Sequence, residues 1–118
     1  GRAMAKLKWH DKSKLVWTEL SVEDFVQSRT SPTDTVSILE KLCENYSEAK
    51  MFMALYNDTP TSSIAQLQVA HSETAKKVHA LFGGTLHGDL IEFAINSDNL
   101  SRVGEDIAKK LEGLGTNT

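Results

Sequence analysis

The sequence predicts an α/β fold: a small mixed sheet of about four strands, made of an N-terminal hairpin and a strand-helix-strand-helix (βαβα) unit, with helices packed on it. Three observations lead there. "KLKWH" and "KLVWTEL" near the N-terminus alternate apolar with polar residues, as half-buried strands do. "KMFMALY" and "DLIEFAI" are nearly continuous apolar runs of strand length, the pattern of strands covered on both faces. The segments around them carry apolar residues at three-and-four spacing behind capping residues, as amphipathic helices do. At 118 residues and 40% apolar content the chain can fill one core without metals or disulfides. Residues 1–3, before Met4, read as an expression scar, 4–115 as a single domain and 116–118 as a tail that frays.

The first two strands are joined by "DKS", a turn-forming stretch, which predicts a hairpin carrying Trp9 and Trp17. "SVED" then fits a capping box, in which the Ser21 hydroxyl and the Asp24 carboxylate serve free amides at the start of a short helix with Val22, Phe25 and Val26. "SPTD" repeats the device, with Ser31 as cap and Pro32 at the first helical position, where its missing amide hydrogen has no partner anyway. Val36, Leu39, Leu42, Cys43 and Tyr46 form the buried stripe of that second helix, which makes Cys43 a small core residue.

"KMFMALY" should be the central strand. After "NDTPTSS", Thr59 and Pro60 repeat the cap-then-proline start. Ile64, Leu67, His71, Thr74, Ala75, Val78, Leu81 and Phe82 then predict one helix of roughly twenty residues, stopped by Gly83. "LHGDL" is a turn in which Gly88 supplies positive φ. "DLIEFAI" is the second covered strand, and "NSDN" caps a last helix that turns Leu100, Val103, Gly104, Ile107, Ala108 and Leu111 inward. Gly104 in mid-helix marks a close approach to the sheet. A strand-helix-strand unit implies parallel strands, whose carboxyl ends are where open α/β sheets hold ligands.

Composition argues against several functions. With 13 Lys+Arg against 16 Asp+Glu, the formal charge of −3 gives no field that would gather nucleic acid. The lysines at 6, 8, 12 and 14 around Trp9 and His10 read as the protection of an edge strand. One cysteine permits neither an intrachain disulfide nor a Cys-rich zinc site, and it suggests a reducing, cytoplasmic location. No apolar run spans a bilayer. The stretch "LFGGTLHGDLIEFAI" raises a metal or acid/base role for His87 and Asp89, since imidazole and carboxylate suit zinc or manganese. Its glycines are better explained as a connection, and His71 and His79 stand about 12 Å apart along a helix, too far to share an ion. No catalytic constellation and no cofactor motif is legible.

These readings predict a non-catalytic protein-interaction or regulatory domain that self-associates as a homodimer or binds a protein partner. The interface is expected at the ends of the long helix, Ile64 and Leu67 on one side and Leu81 and Phe82 on the other. Such a helix spans about 30 Å and overhangs a strand of about 23 Å. The alternative is a small-molecule or anion-binding domain, or a small enzyme. It would use the polar loops at the strand carboxyl ends, 57–63 and 96–99, with Asp58, Thr59, Thr61, Ser62, Asn96, Ser97 and Asp98 as ligand-binding residues.

Overall fold

The computed structural model describes residues 6–20 and 35–115. The Ser21 capping box with its short helix, the Ser31 cap with Pro32, the residues before Lys6 and the tail from 116 lie outside them. The N-terminal hairpin is present as β1 (Lys6–His10) and β2 (Leu15–Leu20), paired antiparallel. Residues 11–14 close it, with Lys14 in the left-handed region at φ 57° and its amide donating to the Asp11 carbonyl at 3.3 Å. Helix α1 (Thr35–Asn45) precedes β3 (Met51–Thr59), which runs parallel to β2. Next come β4 (Ser62–Val69), α2 (Ser72–Phe82), β5 (Thr85–His87), β6 (Leu90–Ile95) and α3 (Leu100–Gly115). The six strands form one sheet in the order β1-β2-β3-β4-β6-β5, two more than the sequence suggests.

The helix expected from residue 60 to 82 is two elements. Ser63, Ala65, Leu67 and Val69 point into the core, while Ile64, Gln66 and Gln68 are half-buried on the other face, so the segment follows the two-residue period of a strand. Ile64 and Leu67 also stand three apart, and by coincidence they run on into the true helical stripe of Ala75 and Val78. Thr59 is therefore not a helix cap. Its hydroxyl accepts the Thr61 amide at 3.2 Å and lies 2.7 Å from the Ser62 hydroxyl, closing the β3–β4 hairpin. The expected parallel pairing of the two apolar strands also fails. β4 lies between β3 and β6, antiparallel to both, so those two strands point the same way without touching. The parallel pair is β2 and β3.

β3 is the central covered strand, as expected, with Met51 to Tyr56 buried throughout. One face of the sheet joins Leu15, Trp17, Met53, Leu55, Leu67 and Ile91 to α2 and α3 in the larger core; the other joins Val16, Phe52 and Ala54 to Leu39 and Leu42 of α1. The last helix turns Val103, Gly104, Ile107, Ala108 and Leu111 inward as its spacing requires. A Cβ on Gly104 would stand 2.5 to 2.9 Å from the Trp17 indole, which is the close approach this glycine permits. Gly83 ends α2 at φ 78° and Gly88 turns at φ 61°, conformations that side chains rarely adopt. Cys43, expected in the core, is exposed, because the α1 stripe centres on Leu39 and Leu42 and turns position 43 off its edge. No helix among the described residues is long and apolar enough to cross a membrane.

Candidate functional site

Both polar loops expected to hold a ligand lie at one end of the sheet and touch. β3 and β6 point the same way, so Thr59 and Ile95 finish on the same side, although no βαβ crossover joins them. The Asn57 amide donates to the Asp98 carbonyl at 3.1 Å, and the buried Ser63 hydroxyl donates to the Ser97 carbonyl at 2.5 Å. The Ser97 hydroxyl accepts the Asn99 amide at 3.2 Å, and the Asn99 carboxamide oxygen accepts the Arg102 amide at 3.2 Å, an N-cap for α3. Asp58, Thr59 and Thr61 are exposed at the hairpin tip. Much of this polar cluster thus serves the turn and the cap.

The loop after β6 opens into a groove of about 490 Å³ between α2, α3 and β6. Asn96 and Ser97 line it, and so do Leu81 and Phe82, which the sequence assigns to an interface. Two sets of expected residues therefore share one concavity. Phe82 stacks on Phe93 with ring centroids 4.5 Å apart and planes 5° from parallel, giving the groove a flat aromatic wall. The Lys110 ammonium lies 5.8 Å from the Phe82 ring centroid, and Arg102 and Asp106 complete the α3 side. Two cations against one carboxylate leave the wall net positive. Leu81 stands 46% exposed at the lip.

Arg102, Asp106, Lys110 and Phe93 are lining residues that sequence reasoning missed. The charged three recur every fourth residue along α3, a signal that reads equally well as an ordinary solvated helix face. The remaining interface residues lie elsewhere. Ile64 is half-buried on the opposite sheet face, and Leu67 is wholly buried in the larger core, so the overhang argument falls with the twenty-residue helix on which it stood.

The histidines do not converge. His71, which the sequence puts on the apolar stripe of a long helix, is exposed at the start of α2, because the strand ends at Val69 and no helical stripe reaches it. His79 Nε2 lies 3.1 Å from the Gly84 carbonyl oxygen; His87 is exposed beside its turn. The Asp89 carbonyl takes the Val69 amide at 3.0 Å, tying that turn to the opposite end of the sheet from the groove. Among the described residues, no three His, Cys, Asp or Glu side chains gather as a metal site would require. The Cys43 thiol is pushed up by partial burial, then by Glu44 and Glu40, away from the reactive thiolate.

No protein-family model matches the sequence, and no curated protein does. Among solved structures, the chain is similar in fold to an exopolyphosphatase-related protein from Bacteroides fragilis, with a TM-score of 0.70 at 16% identity. The similarity covers 95% of this chain and 33% of that one. The likeness is one of fold, and this chain spans about a third of the length of the protein it resembles.

Proposed function

We propose that this chain is a non-catalytic interaction domain whose working face is the groove between α2 and α3, and that the group it holds there is anionic. One observation carries this: the polar loop 96–97, the flat Phe82–Phe93 wall and the cations of Arg102 and Lys110 meet in a single concavity. Guanidinium and ammonium groups at an aromatic wall supply charge and an apolar platform together, a combination suited to anion recognition. The description of a fold neighbour as exopolyphosphatase-related suggests a phosphate anion as the probe. Titrating the isotope-labelled chain with inorganic tripolyphosphate tests the assignment. Amide shifts should concentrate at Asn96, Ser97 and Arg102, weaken with salt, and vanish in Arg102→Glu and Lys110→Glu. Shifts scattered over other lysines, or none, would remove it.

A second reading, self-association, rests on Leu81, whose 46% exposure at the groove lip is high for a large apolar side chain. A two-fold dimer meeting there would cover Leu81 on both copies. Sedimentation should then show a species heavier than the 13.0 kDa chain, which Leu81→Glu returns to monomer without loss of fold. A single 13.0 kDa species at every concentration would leave the groove to other partners.

A further inference from the structure

We infer that the free edge of β1 is a second docking surface, and that its occupant is an extended acidic segment of a partner protein, added to the sheet as a further strand. The sheet has two edges. β5, at one end, is three residues long and offers little backbone to pair with. β1, at the other, is five residues long and, among the described residues, pairs on one side alone, with β2. Its outer backbone donors and acceptors form the template that strand addition uses.

The side chains on β1 sort by face. Leu7 and Trp9, opposite Thr18 and Val16, belong to the α1 face and stand 48% and 43% exposed. They are two of the three large apolar side chains so exposed among the described residues. Lys8 and His10, opposite Trp17 and Leu15, belong to the α3 face, and both are tied down there. The Lys8 ammonium is 3.7 Å from Glu19 and 3.4 Å from the Ser101 hydroxyl, while His10 Nε2 is 3.0 Å from Glu112. These anchors hold the strand in place, so its edge is pre-formed and a partner need not order it.

Charge selects the occupant. Residues 6 to 14 hold four lysines and one aspartate in a chain whose net charge is −3. Asp11 lies 3.0 Å from Lys14, Glu19 faces Lys8 and Glu112 faces His10, so four lysines stand against three carboxylates and the segment stays net positive, with Lys12 exposed at its end. A second copy laid antiparallel on β1 would set lysine-bearing strands side by side, and like charges across a strand pair destabilise it. An acidic strand meets the opposite sign. The two faces set its pattern: apolar or aromatic residues over Leu7 and Trp9, alternating with acidic residues on the lysine side.

The experiment uses a short peptide alternating glutamate with valine, and its lysine-valine counterpart as control, with the isotope-labelled chain. The acidic peptide should slow amide exchange within 6–10 and bind more weakly as salt rises, and the basic one should do neither. Trp9→Ala and Lys12→Glu should each lower affinity by about tenfold with the fold unchanged. Peptide-induced protection at 96–102 instead would put the peptide in the α2–α3 groove and overturn the edge assignment without touching the groove reading. Displacement by a single-stranded oligonucleotide would make β1 a nucleic-acid surface. Protection of 6–10 without peptide, together with a heavier species in sedimentation, would make the occupant a second copy. Either result overturns the proposal.

Discussion

Single atoms decide how α3 sits on the sheet. Gly104→Ala places a methyl group against the Trp17 ring, 2.5 Å from its nitrogen, and moving the indole aside would strain the hydrogen bond that its N–H gives Glu19 at 3.0 Å. Overpacking of this kind costs about 1–3 kcal/mol, although alanine is the better helix former, so the urea midpoint should fall. Position 104 was legible as a close approach from the sequence, whereas Trp17 as the group approached was not, since nothing in the hairpin's alternation names its partner helix. Tyr56 makes a pH-dependent contribution. Burial, then Glu92 and Asp58, push its phenol up to about 12 from an ordinary 10.0, so the folded state favours the neutral form. The raised value means that this stability is fully present below pH 10 and is lost as pH climbs toward 12. Tyr56→Phe should move the alkaline unfolding transition to higher pH, as followed by circular dichroism. An unmoved transition would assign alkaline unfolding to other groups.

At the scale of elements, the segment from 62 to 69 carries the lesson about periodicity. Apolar and polar residues alternate only from Ala65 to Val69, since Ser63 is the buried neighbour and Ile64 the outward one; Thr59-Pro60 resembled a helix start, and Ile64 and Leu67 ran in phase with the α2 stripe. Two periods fit one stretch, and register against β3 decided between them. Leu67 in the core and Ile64 on the opposite face then behave differently. Leu67→Ala should cost about 2–5 kcal/mol in denaturant unfolding, and Ile64→Ala clearly less; equal costs would return the segment to a helix. β5 escaped notice because three residues between Gly84 and Gly88 are too few to show a period. The α3 cap was readable in "NSDN", and Asn99→Ala should lower stability by about 0.5–2 kcal/mol by freeing the Arg102 amide. The polar loops were legible as chemistry and as a sheet end. Their sharing of the groove with Phe82 was not, because it depends on β6 lying beside β4 under α2, an arrangement fixed by long-range pairing.

For the whole molecule, the groove and the β1 edge lie on different elements, so a variant in one should leave binding at the other intact. What links them is α3. It supplies Arg102 and Lys110 to the groove, and it also holds β1 through Ser101 and Glu112, the first of which lies 93 residues along the chain from its partner Lys8. That span sets the order of events during synthesis. Among the described residues, α3 is the helix that lies over Trp17 and Glu19, and until it emerges from the ribosome β1 has only β2 to hold it. A hairpin without α3 would expose the apolar surface that this helix buries, the kind of surface that chaperones shield. A chain cut before Leu100 should therefore aggregate rather than remain a smaller soluble domain.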